Sequence, residues 1–169
     1  MAIYVWTGIG AGKTTSSLGV ALRTVAHGKK AVIVQFMKGR KDTGEFLIKD
    51  KLGPLYEIFQ FGSEEFVDLK NPSEDDKKKA EEALAFAEKK MLEEKPFLLV
   101  LDEVNIAMSF GLIKTEDVLK LIKKCPEGVN LYLTGRFCPR EVMEAADYVT
   151  EFVSLKKPEK MVATEGIEY

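Results

Sequence analysis

"YVWTGIGAGKTTSSLG", residues 4–19, is a β-branched and aromatic run that enters a glycine-rich turn and leaves through a lysine, two threonines and an apolar-periodic stretch. Strand, turn and helix in that order point the turn's amides, the positive end of the helix and Lys13 at one anion. Thr14 follows with a hydroxyl suited to a divalent cation. The usual G-x-x-x-x-G-K-[ST] spacing would begin at position 7, which is threonine here, so Gly8 and Gly10 supply the turn's freedom. A dinucleotide fingerprint fails, because Lys13 stands where its last glycine belongs.

Outward from this stretch, short apolar runs alternate with helical patterns. The expected strands are Ile3–Trp6, "AVIVQF" (31–36), "YEIFQF" (56–61), "FLLVLDE" (97–103), "LYLT" (131–134) and "YVTEFVSL" (148–155). The expected helices are Lys13–Ala26 closed by Gly28, a short one ending before Gly53-Pro54, and a long one over 73–95 with Ser73 as N-cap. Three more complete the set: one to Phe110 stopped by Gly111, one capped by Thr115, and one with Pro139 at its first position. Runs apolar throughout, such as 31–36 and 97–101, suit strands buried on both faces. The pattern predicts an α/β fold: a doubly wound, mostly parallel sheet with helices on both faces, of the P-loop, RecA-like kind. It also predicts a single domain over 1–169.

The apolar fraction is 46% and the net charge −2, so a basic nucleic-acid surface is not expected. No apolar run reaches the roughly 20 residues of a membrane span, and the opening strand carries no signal-peptide pattern. Cys125 and Cys138 stand alone. The cytoplasm is the expected compartment.

Asp102 and Glu103 end the apolar run 97–101, where a carboxylate beside a phosphate loop is placed to bind Mg²⁺ directly or through water. Arg136, just after strand 131–134, is a candidate substrate contact. His27 reads as a structural residue at a helix end and Trp6 as core. These residues describe a metal–nucleotide site without naming the bond that breaks. A guanine-reading Asn-Lys-x-Asp is missing, as is an arginine-rich lid. Attack at the γ-phosphate by an ATPase or kinase stays open, and so does a non-catalytic ATP sensor.

The chain resembles the ATP:corrinoid adenosyltransferase family. The matching stretches are "TGIGAGKTTSSLGVALRTVAHGKKAVIVQFMKG", Gly44-Glu45, "LLVLDEVNIAMSFGLI", "LYLTGRFCPREVMEAADYVTE" and "GIEY"; residues 54–96 and 156–163 match poorly. The resemblance implies that a Co(I) corrinoid attacks the 5′-carbon of ATP, held in the reverse of the usual direction, and that the whole triphosphate leaves. Co(I) carries no proton, so no general base is required. By matching position, Gly8, Ile9, Gly10, Ala11, Gly12, Lys13, Thr14 and Thr15 would line the triphosphate. Thr14 and Asp102 would serve Mg²⁺ or Mn²⁺, Glu103 and Asn105 would organise the metal or ribose side, and Arg136 would touch nucleotide or corrinoid. A homodimer and an electron-donor protein are further implications.

Some positions depart from the family pattern. Ile9 replaces asparagine and Ala11 a frequent lysine, which throws phosphate binding onto backbone amides and Lys13. A Phe-x-Trp stretch after the third strand is replaced by "FQFGSEEF", leaving Phe59, Phe61 or Phe66 as substitutes. An N-terminal helix seen in some members is not expected here, and the segment before "GIEY" reads as shortened. The corrinoid pocket is therefore expected to be more open, or completed by a partner.

Overall fold

Hydrophobic alternation decides which way each strand faces. In the computed structural model, which describes residues 1–65, 67–160, 162–167 and 169, six strands form one sheet in the order β3-β2-β4-β5-β1-β6. They are β1 (Ile3–Thr7), β2 (Ala31–Phe36), β3 (Tyr56–Phe61), β4 (Leu98–Asp102), β5 (Asn130–Thr134) and β6 (Tyr148–Glu151). Every pairing is parallel. All carboxyl ends therefore lie along one edge, and the helices must cross over the faces.

Ala31, Ile33, Leu98, Val100 and Tyr132 point to the face covered by α1 (Lys13–Ala26) and by two short helices, α2 (Gly44–Leu47) and α3 (Lys49–Leu52). Val32, Val34, Phe36, Leu99, Leu101, Leu131 and Leu133 point to the other face. That face is covered by α4 (Glu74–Glu93), α5 (Val104–Ser109), α6 (Thr115–Lys124) and α7 (Arg140–Glu144). Ser73 caps α4 in a reciprocal box with Asp76, which satisfies two otherwise orphan amides. Among the described residues no helix is long and apolar enough to cross a membrane, and Cys125 and Cys138 are free and buried.

Several expected boundaries move. The N-cap of α6 is Lys114, whose side chain makes no cap bond, and Thr115 is the first helical residue. Pro139 is the N-cap of α7 rather than its first residue. Two short helices, α2 and α3, stand before Gly53 instead of one. The last strand stops at Glu151 rather than Leu155. Past it the chain turns onto the phosphate loop: Phe152 donates its amide to Thr7 and accepts the Gly10 amide at 2.8 Å. An edge strand continues only while its neighbour does, and β1 ends at Thr7.

Candidate active site

On β3, β2, β4 and β5 the last residue of the α1-facing series is polar. Register pairs Gln60 with Gln35 and Gln35 with Asp102, and Thr134 with Trp6. Gln60, Gln35, Asp102, Thr134 and Trp6 thus form a row across five adjacent strands just below the loop. Gln60 Nε2 donates to Gln35 Oε1 at 3.0 Å, and Gln35 Nε2 donates to Asp102 Oδ2 at 3.0 Å. Thr134 Oγ1 donates to Asp102 Oδ1 at 2.6 Å. Asp102 is wholly buried.

Above this row lies the loop. Gly12 takes a left-handed conformation as N-cap of α1, so Lys13 opens the helix. Thr14 Oγ1 donates to Asp102 Oδ1 at 2.8 Å, and Lys38 Nζ donates to Asp102 Oδ2 at 2.7 Å. Asp102 therefore accepts four hydrogen bonds, two on each oxygen, which fills the capacity of an ionised carboxylate. Burial alone would raise its pKa, but the Lys38 charge and the bonds from Lys38, Thr134 and Thr14 hold it below the usual range.

Lys13 curls back over its own loop, donating to the Gly8 and Gly10 carbonyls at 2.8 and 2.6 Å. Burial is the main reason its pKa is lowered. Glu103 follows Asp102 in a left-handed conformation (φ 67°) as the N-cap of α5. One of its carboxylate oxygens is buried without a hydrogen-bond partner. Burial, then the Asp102 charge, raises its pKa, while Lys38, Lys13 and Arg136 oppose this.

The structure brings Lys13, Thr14, Asp102 and Glu103 together at the carboxyl edge, with Arg136 close enough for its charge to act on Lys13 and Glu103. Arg136 itself is exposed, as are Ile9 (67%), Ala11 and Thr15. Asn105 follows Glu103 at the start of α5, and its Oδ1 is buried without a hydrogen-bond partner. Fully buried, it donates to the carbonyls of Gly135 at 3.1 Å and Trp6 at 3.3 Å, tying the ends of β5 and β1. Trp6 packs edge-on against Tyr132 as half-buried core. His27 is the C-cap of α1, with Gly28 left-handed after it.

Sequence reasoning missed Lys38, Gln35, Gln60 and Thr134. A polar residue at the end of an apolar run was the available signal for Gln35 and Thr134. Lys38 had only the "MKG" turn after β2. A cavity of about 320 Å³ opens beside Thr14, Thr15 and Lys38 and is lined as well by Gly166, Ile167 and Tyr169. Tyr169 also lies under the Arg40 guanidinium, 4.8 Å from its ring centre.

A metal fits this site on the chemistry of its donors. Thr14 and Asp102 offer hard oxygens at a helix N-terminus, and a cation, the Lys38 ammonium, already touches both. Among the described residues no group of three or more His, Cys, Asp or Glu could hold a metal by itself.

The family model of the ATP:corrinoid adenosyltransferases BtuR/CobO/CobP matches residues 1–169. The chain belongs to that family. Corrinoid adenosyltransferases from a Sinorhizobium species and from Escherichia coli K12 are 34% and 32% identical to it. The matches cover 99% and 91% of this chain, and 79% and 77% of those proteins. The corrinoid adenosyltransferase CobA of Salmonella typhimurium is 31% identical over 99% of this chain and 85% of its own. The fold is similar to that of a KaiC-like protein from the hyperthermophilic archaeon Pyrococcus horikoshii. That likeness has a TM-score of 0.61 at 19% identity, covering 91% of this chain and 74% of that one. The adenosyltransferase therefore has an α/β, RecA-like architecture. Of the aromatics weighed against the missing Phe-x-Trp, Phe59 and Phe61 both pack on Phe86 of α4, while Phe66 lies outside the described residues.

Proposed function

We propose that this adenosyltransferase acts as a single nucleotide-binding domain, transferring the 5′-deoxyadenosyl group of ATP to the Co(I) centre of a reduced corrinoid. The cobalt lone pair forms the Co–C5′ bond. The C5′–O bond breaks, and its electron pair leaves with the triphosphate. The family match over the whole chain carries this reading. The site is in keeping with it: a glycine-rich loop at the N-terminus of α1 carries Lys13 for an anion, and the row beneath holds the Asp102 carboxylate for a cation.

In this reading the loop from Gly8 to Thr15 embraces the triphosphate and Lys13 releases its two carbonyls to meet the phosphates. Thr14 and Asp102 hold Mg²⁺ or Mn²⁺, which supplies charge stabilisation to the departing group. Preorganisation favours this, because Asp102 is already fixed by Gln35 and Thr134 before substrate arrives. Glu103 and Arg136 flank the same edge, where their charges orient the reacting end. Exposed Ile9 and Phe137 (54% exposed) give that edge an apolar rim for a corrin face. We further infer a cytoplasmic enzyme, a homodimer and a separate electron donor for reduction of Co(II).

The test is an anaerobic reaction of the protein, ATP, Mg²⁺ and chemically reduced Co(I) cobalamin. A light-sensitive adenosylcorrinoid and triphosphate are expected, and Lys13→Ala should slow their formation by at least about 100-fold, the scale of losing one preorganised charge-stabilising donor. Release of ADP and phosphate with Co(I) untouched would make the protein a γ-phosphate enzyme instead. ATP binding with neither Co(I) consumption nor ADP release would make it a sensor.

A further inference from the structure

The four donors around Asp102 are not equivalent. Thr14, Thr134 and Gln35 are neutral and stand on α1, β5 and β2. Lys38 is the cation, on a loop, and its side chain is 30% exposed. Lys38 Nζ also donates to Thr14 Oγ1 at 3.3 Å. Since the Thr14 hydroxyl proton is directed to Asp102, the oxygen's accepting side faces the ammonium. An ion bridging Thr14 and Asp102 needs that same place, and with all four acceptor positions of Asp102 filled it cannot coordinate there without displacing a donor.

We propose that the Lys38 ammonium holds the metal position in the nucleotide-free protein and moves onto the nucleotide phosphates when the metal enters, so that metal and nucleotide bind as a coupled pair. This inference rests on the metal site proposed above. Only the side chain is free to make the move. Met37 donates its amide to the Phe61 carbonyl at 3.0 Å. A β-carbon on Gly39 would fall 2.6 Å from Ser63 C, and one on Gly62 2.3 Å from Met37 C. The backbone is thus pinned on both sides of Lys38, and the four-carbon stem takes up the displacement. Without an anion to receive it, the ammonium would lose a buried carboxylate partner, an unfavourable exchange. Triphosphate supplies that anion within the same cleft.

The experiment follows Mn²⁺ retained with the intact protein by equilibrium dialysis, set against a protein-free ATP control because ATP binds Mn²⁺ by itself, with and without ATP and with no corrinoid present. Wild type and Lys38→Arg should bind Mn²⁺ weakly alone and at least tenfold more tightly with ATP. Lys38→Met should bind it at least tenfold more tightly than wild type without ATP and gain little from adding it. Asp102→Asn should bind poorly throughout. Thermal unfolding gives a second readout: Lys38→Met should melt below wild type in chelator and recover with Mn²⁺, while wild type is unmoved. If Lys38→Met folds only when refolded with Mn²⁺, that supports the proposal, and failure to fold in either condition overturns it. Equal affinity of wild type and Lys38→Met without ATP, with Asp102→Asn still impaired in its presence, overturns the role of Lys38 and leaves the metal site standing. Mn²⁺–ATP binding indifferent to Asp102→Asn removes both.

Discussion

A β-carbon on Gly10 would lie 2.7 Å from the carbonyl oxygen of Phe152 and 2.8 Å from the Val153 amide nitrogen, and one on Gly8 2.4 Å from that same oxygen. These glycines are fixed by the close approach of the backbone just past β6 as well as by any phosphate. Gly10→Ala should therefore destabilise the fold by about 1–3 kcal/mol through overpacking, and weaken ATP binding as the loop lifts from Phe152. Denaturant midpoints and a nucleotide titration measure the two effects. Asp102 has a comparable structural share in the site. Asp102→Ala leaves Lys38, Thr14, Thr134 and Gln35 facing an empty acceptor, at a cost of about 3 kcal/mol, the lower end for breaking a buried ion pair because Lys38 reaches solvent. A chemical denaturation curve would register it, and an unchanged midpoint would contradict the four-donor arrangement. Asp102 and Lys13 were legible in the sequence because their neighbours announce them, one closing an apolar strand and the other opening a helix after glycines. Lys38, Gln35 and Gln60 were not, since their role depends on which strands become adjacent.

Among the elements, β3 and α4 are joined by a square of alternating charges. Lys30 meets Glu57 at 2.7 Å and Glu94 at 2.5 Å, and Lys90 meets the same two carboxylates at 2.9 and 2.6 Å. Lys90 also sits over the Phe59 ring, 4.8 Å from its centre. Burial opposes ionisation of Glu57, but the bonds from Lys30 and Lys90 prevail and lower its pKa; the same two lysines lower that of Glu94. The contribution of these carboxylates is thus present above their unfolded value of about 4.3 and is lost as pH falls through their lower folded values. Glu57→Gln should lower stability near neutrality by about 1 kcal/mol, the upper end for a partly exposed pair. The deficit should shrink in high salt and disappear once wild type is itself protonated. Unfolding midpoints across pH 2–7 at two salt concentrations would follow this. Element type was readable wherever a run was long and periodic, as in α1 and α4. Boundaries were not readable where a neighbour sets them: β6 stops because β1 stops, and the cap of α6 falls on Lys114 by backbone geometry rather than side-chain chemistry.

At the scale of the whole molecule, the parallel sheet gathers the loop, the carboxylate of β4, the Arg136 turn and the tail around Tyr169 along one edge. A ligand held there touches segments distant in the chain, so its binding energy is felt by global unfolding. ATP with Mg²⁺ at about 100 times its dissociation constant should add about 2.7 kcal/mol, or roughly 5–11 °C in melting temperature for a chain of this size. Lys13→Ala should remove the shift. Calorimetry with and without nucleotide decides it, and an equal shift in both proteins would place the binding elsewhere. That a phosphate-binding edge exists was evident from residues 4–19. That Phe152, Gly166, Ile167 and Tyr169 border it was not, because no local pattern encodes their return to this edge.

The strand order has a further effect on how this site comes into being. β1 lies between β5 and β6, with Ile3 beside Leu131 and Tyr4 beside Tyr148. The β2–β3–β4 half can pair before β5 is made, but β1 has no edge to join until β5 has been synthesised. During translation, the stretch that announces the nucleotide site waits as an unpaired apolar segment. Made before the other five strands, it is among the last to find its place, a long-range closure of the kind that slows folding and prolongs exposure to aggregation and to chaperones.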